Sequence, residues 1–266
     1  MFIDSHAHLE YPDFESDLEA TISRARSADI LKIVNIGTTV ENTKRGILLS
    51  EKYKGIIFPT AGLHPHDIGE AIDLKKQIEG LKELTGKKKI YAIGECGLDY
   101  SKIFESSSSG SDEYEVKKQK ELLLAQLILA KVNNLPVVIH SRMAENDTFE
   151  ILSSDDFKNL RGVVHCYTGT KEFAKKVLEL GFSLGFTGII TFPKAVDLEE
   201  VVRMVPLEKI LIETDAPFIA PVPYRGQQNE PAYVVEVAKK IAEIKKVSLE
   251  KIAEVTTKNA EELFGI

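Results

Sequence analysis

Short apolar, β-branched runs recur along this 266-residue chain, separated by charged stretches whose apolar residues return every three or four positions. The runs read as strands at Phe2 to Asp4, Leu31 to Ile36, Ile56 to Ala61, Ile90 to Gly94, Pro136 to Ile139, Gly162 to Val164, Phe182 to Phe186 and Ile210 to Ile212. The stretches between them, such as Asp17 to Ala28 and Glu172 to Leu180, have the period of amphipathic helices. Strands that are apolar throughout are buried on both faces, the condition of a parallel sheet covered by helices. Eight strand–helix units of this kind predict a closed (β/α)8 TIM barrel, one domain over residues 1–266, with its active site at the C-terminal ends of the strands.

The reactive side chains fall at those ends. All six histidines stand where an apolar run gives out, at His6, His8, His64, His66, His140 and His165, and Glu95 and Asp215 close two further runs. A convergent ring of imidazoles and carboxylates suits a divalent cation such as zinc, manganese, nickel or iron. His6 and His8 are two apart, so on an extended chain they share a face and can share one ion, with Asp4 placed to hold an outer ring nitrogen. Glu95, between Gly94 and Gly97, is free to bridge two ions, one held with His6, His8 and Asp215 and the other with His140 and His165. Two adjacent divalent ions are a device for hydrolysing an ester. The plainer reading of any single histidine is a hydrogen-bonded core residue, and of Glu95 or Asp215 a structural salt bridge, although a carboxylate inside a barrel is costly to bury unless paired or metal-bound.

Composition narrows the partners. At 43% hydrophobic and 28% charged residues the chain can bury a full core without disulfides, and Cys96 and Cys166, each one residue past a candidate ligand, are expected to point away from the metals. A net charge of -7 excludes a broad duplex-coating surface, so a nucleic acid would have to be gripped at a small site. Arg142 and Arg225 are placed to bind phosphate bidentately, Lys194 to add a point charge, and Gly185-Phe186-Thr187-Gly188 to offer backbone amides. The chain opens directly on Phe2-Ile3 without a basic and apolar leader, and its longest apolar helical stretch, Leu122 to Ala130, is far short of the ~20 residues of a membrane span. The expectation is a cytoplasmic protein with no membrane association and no obligate protein partner. The serine-rich segment 106–111 reads as a loop on the catalytic face.

Seven segments together carry a resemblance: Asp4-Ser5-His6-Ala7-His8-Leu9, Gly62-Leu63-His64-Pro65, Gly94 to Tyr100, His140-Ser141-Arg142, His165 to Gly169, Glu213 to Pro217, and Arg225 to Pro231. In order and spacing they resemble the signature blocks of the TatD-family metal-dependent deoxyribonucleases, over nearly the whole chain. The resemblance implies a TIM barrel of the metal-dependent hydrolase superfamily, two divalent cations per chain (Zn, Mg, Mn or Ni), and hydrolysis of DNA, typically from the 3′ ends of single strands. Carried over by position, it implies that His6, His8, Glu95, His140, His165 and Asp215 are the metal ligands. Asp215 and Glu95 would also serve catalysis, Asp215 by accepting the attacking water's proton, while His64 would face the substrate and His66 cap its loop. Met143 stands where many relatives carry an acid that would orient Arg142, and segment 106–111 is longer than usual. The nearest alternative is an amidohydrolase of the same barrel type acting on a small amide. Such enzymes often bridge their metals with a carboxylated lysine at the position of Glu95. A catalytically idle metal-binding protein is the other.

Overall fold

The computed structural model describes residues 1–67, 73–105 and 112–266; the serine-rich segment 106–111 lies outside the described residues. Eight strands are present, β1 (Phe2–Ala7), β2 (Ile30–Asn35), β3 (Ile57–Pro59), β4 (Ile93–Asp99), β5 (Val137–Arg142), β6 (Gly162–Val164), β7 (Ser183–Phe186) and β8 (Ile210–Ile212). The helices between and after them are α1 (Leu18–Ser27), α2 (Val40–Lys52), α3 (Leu74–Lys87), α4 (Ser101–Glu105), α5 (Asp112–Asn133), α6 (Glu145–Ser153), α7 (Lys171–Glu179), α8 (Val196–Met204), α9 (Val234–Lys245) and α10 (Leu249–Phe264). Side-chain caps fix several helix starts: Thr39, Thr170 and Ser248 each accept a hydrogen bond from the backbone N–H three residues on. Among the described residues no helix is long and apolar enough to cross a membrane.

All the strands pair in parallel, in the orders β1-β2-β3 and β4-β5-β6-β7-β8. The two seams between these sheets are crossed by single bridges, Ala61 to Ile93 and Ala7 to Ala216. At the first seam Gly94 N donates to Ala61 O at 2.8 Å; at the second Asp215 N donates to His6 O at 2.9 Å and His8 N to Ala216 O at 2.8 Å. The fold is therefore TIM-barrel-like, with the ladder thinned where β3 meets β4 and where β8 meets β1. Packing shows that the strands surround one axis. Ile3, Val34, Val138, Val163 and Leu211, from β1, β2, β5, β6 and β8, form one buried cluster with Ala260 and Phe264 of α10, which plugs that end of the interior. A larger cluster fills the space between the strands and the surrounding helices.

Three strands run further than their apolar residues suggest. β1 continues through His6, β4 through Glu95 to Asp99, and β5 through His140 to Arg142. Glu95 thus lies inside β4 rather than at its end, where the β4–β5 register shifts between Ile93 and Cys96. Polar side chains turned into a barrel interior look like a run's end in sequence, while their backbones still pair. Gly97 allows this stretch of β4 to approach β5: a Cβ there would collide with the His140 carbonyl. That close approach sets Glu95 beside His140.

Candidate metal centre

At the C-terminal end of the strands lies a cavity of about 710 Å³ lined by Glu95, His8, His140 and His165, with His6 fully buried beside them, so that Glu95 stands among four histidines. Each oxygen of the Glu95 carboxylate faces a different pair of them. Oε2 is 3.4 Å from His6 Nε2 and 3.9 Å from His8 Nε2. Oε1 is 2.8 Å from His140 Nδ1 and 2.7 Å from His165 Nε2. Asp215, just past β8, joins the first pair, with Oδ1 3.5 Å from His6 Nε2 and 3.4 Å from His8 Nε2. His64 Nε2 stands 3.4 Å from Glu95 Oε1 on the side of the second pair.

A further layer of carboxylates governs which ring nitrogens face inward. Asp99 Oδ2 is 3.0 Å from His140 Nε2, Glu213 Oε1 is 3.7 Å from His165 Nδ1, and Glu10 Oε1 is 3.9 Å from His8 Nδ1. Of these only Asp99 is within hydrogen-bond reach, and its carboxylate draws the His140 ring proton to Nε2 and leaves the inner Nδ1 lone pair directed at the centre. His64 is held the other way. His66 N donates to His64 Nδ1 at 3.1 Å, so the neutral ring carries its proton on Nε2, toward Glu95. Sequence reasoning missed Asp99, Glu213 and Glu10 as partners of the histidines. The available signal was even spacing within a strand for Asp99, four past Glu95 in β4, whereas Glu10 and Glu213 lie beyond the ends of β1 and β8, where alternation gives no guide.

The electrostatics follow from this packing. Burial would raise the Glu95 carboxyl, but the charge of His165 and hydrogen bonds from His140 and His165 outweigh it and hold Glu95 well below its ordinary range. Burial would lower His8, but the Asp215 and Glu10 carboxylates beside it bring it well above the usual imidazole range. His165 is raised likewise, burial being outweighed by the Glu95 charge and by Glu213. Asp215 is lowered: its burial is outweighed by the hydrogen bond from His8 and the charges of His6 and His165.

Several expectations need correction. Asp4 holds no ring nitrogen: it accepts from Thr214 N at 2.9 Å and Thr214 Oγ1 at 2.6 Å, tying β1 to the segment after β8, and its burial pushes its pKa up to about 8. Arg225 is exposed and lies over the Phe192 ring at 4.0 Å, off the cavity wall, and Lys194 is exposed and off it too. Arg142 does line the cavity, together with Lys102, which the sequence reading passed over. Gly185 and Gly188 present no amides to the cavity; they make room, since a Cβ would strike the Glu213 carboxylate at Gly185 and the Ile219 carbonyl at Gly188. Cys96 is buried with its thiol toward the Val138 carbonyl, whereas Cys166 lines the cavity. A left-handed φ of 42° at Cys166 breaks the strand alternation that would have turned it away. His66 does more than cap its loop, since its Nε2 lies 3.3 Å from Asp99 Oδ2.

The donor set fits divalent cations. His6 Nε2 and His8 Nε2 approach to 3.3 Å, and His140 Nδ1 and His165 Nε2 to 3.1 Å. Buried ring nitrogens so close repel unless a cation or proton lies between them. Imidazole nitrogen and carboxylate oxygen together are the ligands of zinc-like and manganese-like ions.

Comparison with known proteins agrees. The sequence model described as TatD related DNase matches residues 3–265. The chain is 40% identical over 267 residues to the uncharacterized metal-dependent hydrolase YabD of Bacillus subtilis, covering 100% of both chains. It is 35% identical over 267 residues to the uncharacterized metal-dependent hydrolase YcfH of Escherichia coli, covering 99% of this chain and 96% of that one. In structure it is similar to YjjV, a TatD homologue of Escherichia coli, with a TM-score of 0.89 at 32% identity over 100% of this chain and 98% of that one.

Proposed function

The chain belongs to the TatD related DNase family, a family of metal-dependent hydrolases, and from that premise we propose that it hydrolyses phosphodiester bonds of DNA, removing nucleotides from the 3′ ends of single strands with two divalent cations. The observation that carries the reading is the Glu95 carboxylate, whose two oxygens face separate histidine pairs at 2.7 to 3.9 Å. His6, His8 and Asp215 would hold one ion with Glu95, and His140 and His165 the other. The ions would withdraw charge from the phosphoryl oxygens and acidify water at neutral pH.

The protein's own groups divide the remaining work. Asp215, held ionised by its histidine neighbours, takes the proton of the attacking water. His64, with its proton on Nε2, donates to a phosphate oxygen rather than binding a metal. Arg142 and Lys102 supply the cavity's cationic lining and hold the flanking phosphate. A small site in which His6, His8, Glu95, His140, His165 and Asp215 would hold two cations would grip one strand end, which suits a chain of net charge -7.

The test is digestion of 3′-labelled and 5′-labelled single-stranded oligonucleotides with magnesium, manganese, zinc or nickel, or with chelator. A ladder shortening from the 3′ end, abolished by chelator, is expected. Turnover of a small cyclic amide with no cleavage of either strand under any metal would replace this reading with the amidohydrolase one.

A further inference from the structure

The cavity lining is divided by chemistry. Near β8, β1 and β7 it is apolar and aromatic, formed by Phe218, Tyr11, Ile219 and Ile189, and near β4 and β5 it carries Lys102 and Arg142. In the ring of eight strands β4 and β5 lie across from β8 and β1, so the two linings face each other over the histidine cluster.

Phe218 is 49% exposed. Its backbone is fixed nonetheless. Phe218 N donates to Asp215 O at 2.9 Å, and its carbonyl accepts from Asn229 Nδ2 at 2.6 Å. Asn229 is fully buried and also donates to Thr214 O at 2.8 Å, so the ring is held at a set offset from Asp215. The Tyr11 ring meets it edge-on with centroids 5.9 Å apart, leaving a face open to the cavity. An apolar ring kept half in water on an immobilised turn is a prepared surface for a flat apolar group. A nucleic acid strand offers such a group beside each phosphate.

We propose that Phe218, buttressed by Tyr11, is the stacking platform for the base of the terminal nucleotide, while the strand's phosphates extend toward Arg142 and Lys102. This assignment rests on the phosphodiesterase reading above. It makes the enzyme a reader of a base as well as of a phosphate, tolerant of base identity because every base has a π face.

The experiment compares a single-stranded oligonucleotide with one whose last two 3′ nucleotides are abasic, in wild type, Phe218→Ala and Phe218→Trp, all loaded with manganese. Wild type is expected to show a KM for the complete strand lower by about tenfold or more, the scale of one base–aromatic stack. In Phe218→Ala the ratio of the two KM values falls toward one, and in Phe218→Trp it is kept. Equal KM values for both strands in wild type, or a ratio unchanged in Phe218→Ala, would overturn the platform. Failure of wild type to cleave either strand would overturn the phosphodiesterase reading itself, and the platform with it.

Discussion

Replacing Asp99 by asparagine isolates the role of the outer carboxylates, because it changes one buried atom. Asp99 is 1% exposed; its Oδ1 accepts from Ser101 N at 2.9 Å and Ser101 Oγ at 2.6 Å, and its Oδ2 faces His140 Nε2 at 3.0 Å. The hydrogen bonds to Ser101 fix an asparagine with its oxygen in the Oδ1 position, so its amide N–H2 points at His140. Two donors cannot face each other, so His140 must move its proton from Nε2 to Nδ1, the nitrogen that faces Glu95 at 2.8 Å. The inner lone pair is then lost to the metal. A buried hydrogen bond to a charged group contributes about 1.5–3 kcal/mol, which is roughly a ten- to hundredfold change in affinity and agrees with the usual cost of removing such an outer ligand partner. Calorimetric titration of the metal-free protein with manganese should show the ion on the His140 and His165 side weakened by about that factor, with the other ion changed much less. Unchanged affinity for both ions in a folded Asp99→Asn variant would refute the tautomer argument.

Other outcomes follow from the same geometry. Asp215→Asn should retain substantial metal, because His6, His8 and Glu95 remain, yet lose turnover by several orders of magnitude; near wild-type kcat on oligonucleotides would remove Asp215 from the base role. Because His8 and His165 are raised well above the ordinary imidazole range, the metal must displace their protons, so its apparent affinity should fall as pH drops, as titrations at several pH values would show. For folding the sign is opposite: a raised imidazole pKa stabilises the metal-free chain below about pH 6.5, and that contribution disappears as pH rises through the folded value, so Tm in chelator should fall toward alkaline pH. Phe264→Ala, which unplugs the interior cluster from α10, should cost about 3 kcal/mol in a denaturant titration, and a loss under about 1 kcal/mol would mean that the barrel end closes without it.

The fold was legible because barrel strands bury most of both faces, so each carries a short apolar stretch, such as Ile33-Val34 in β2 or Val137-Val138-Ile139 in β5, between amphipathic helices. Their ends were less so. His6, Glu95 and His140 interrupt an apolar run while their backbones stay in the sheet, and no local pattern separates an inward-facing polar residue from the start of a loop. The histidines and Asp215 stood out because each is polar at a position where the barrel requires a fixed inward direction. The outer carboxylates did not, since Glu213 reaches His165 from 48 positions away and only the pairing of β6 through β7 to β8 brings them together. Arg225 lies over the Phe192 ring, a contact that segment composition does not encode.

The central claim is that the two oxygens of Glu95 divide this centre into two cation sites. Crystals soaked in manganese and measured at the metal absorption edge test it directly. Two anomalous peaks per chain are expected, flanking the Glu95 carboxylate about 3.5–4 Å apart, one beside His6, His8 and Asp215 and one beside His140 and His165. A single peak at saturating manganese, or two peaks with Glu95 touching only one, would contradict it.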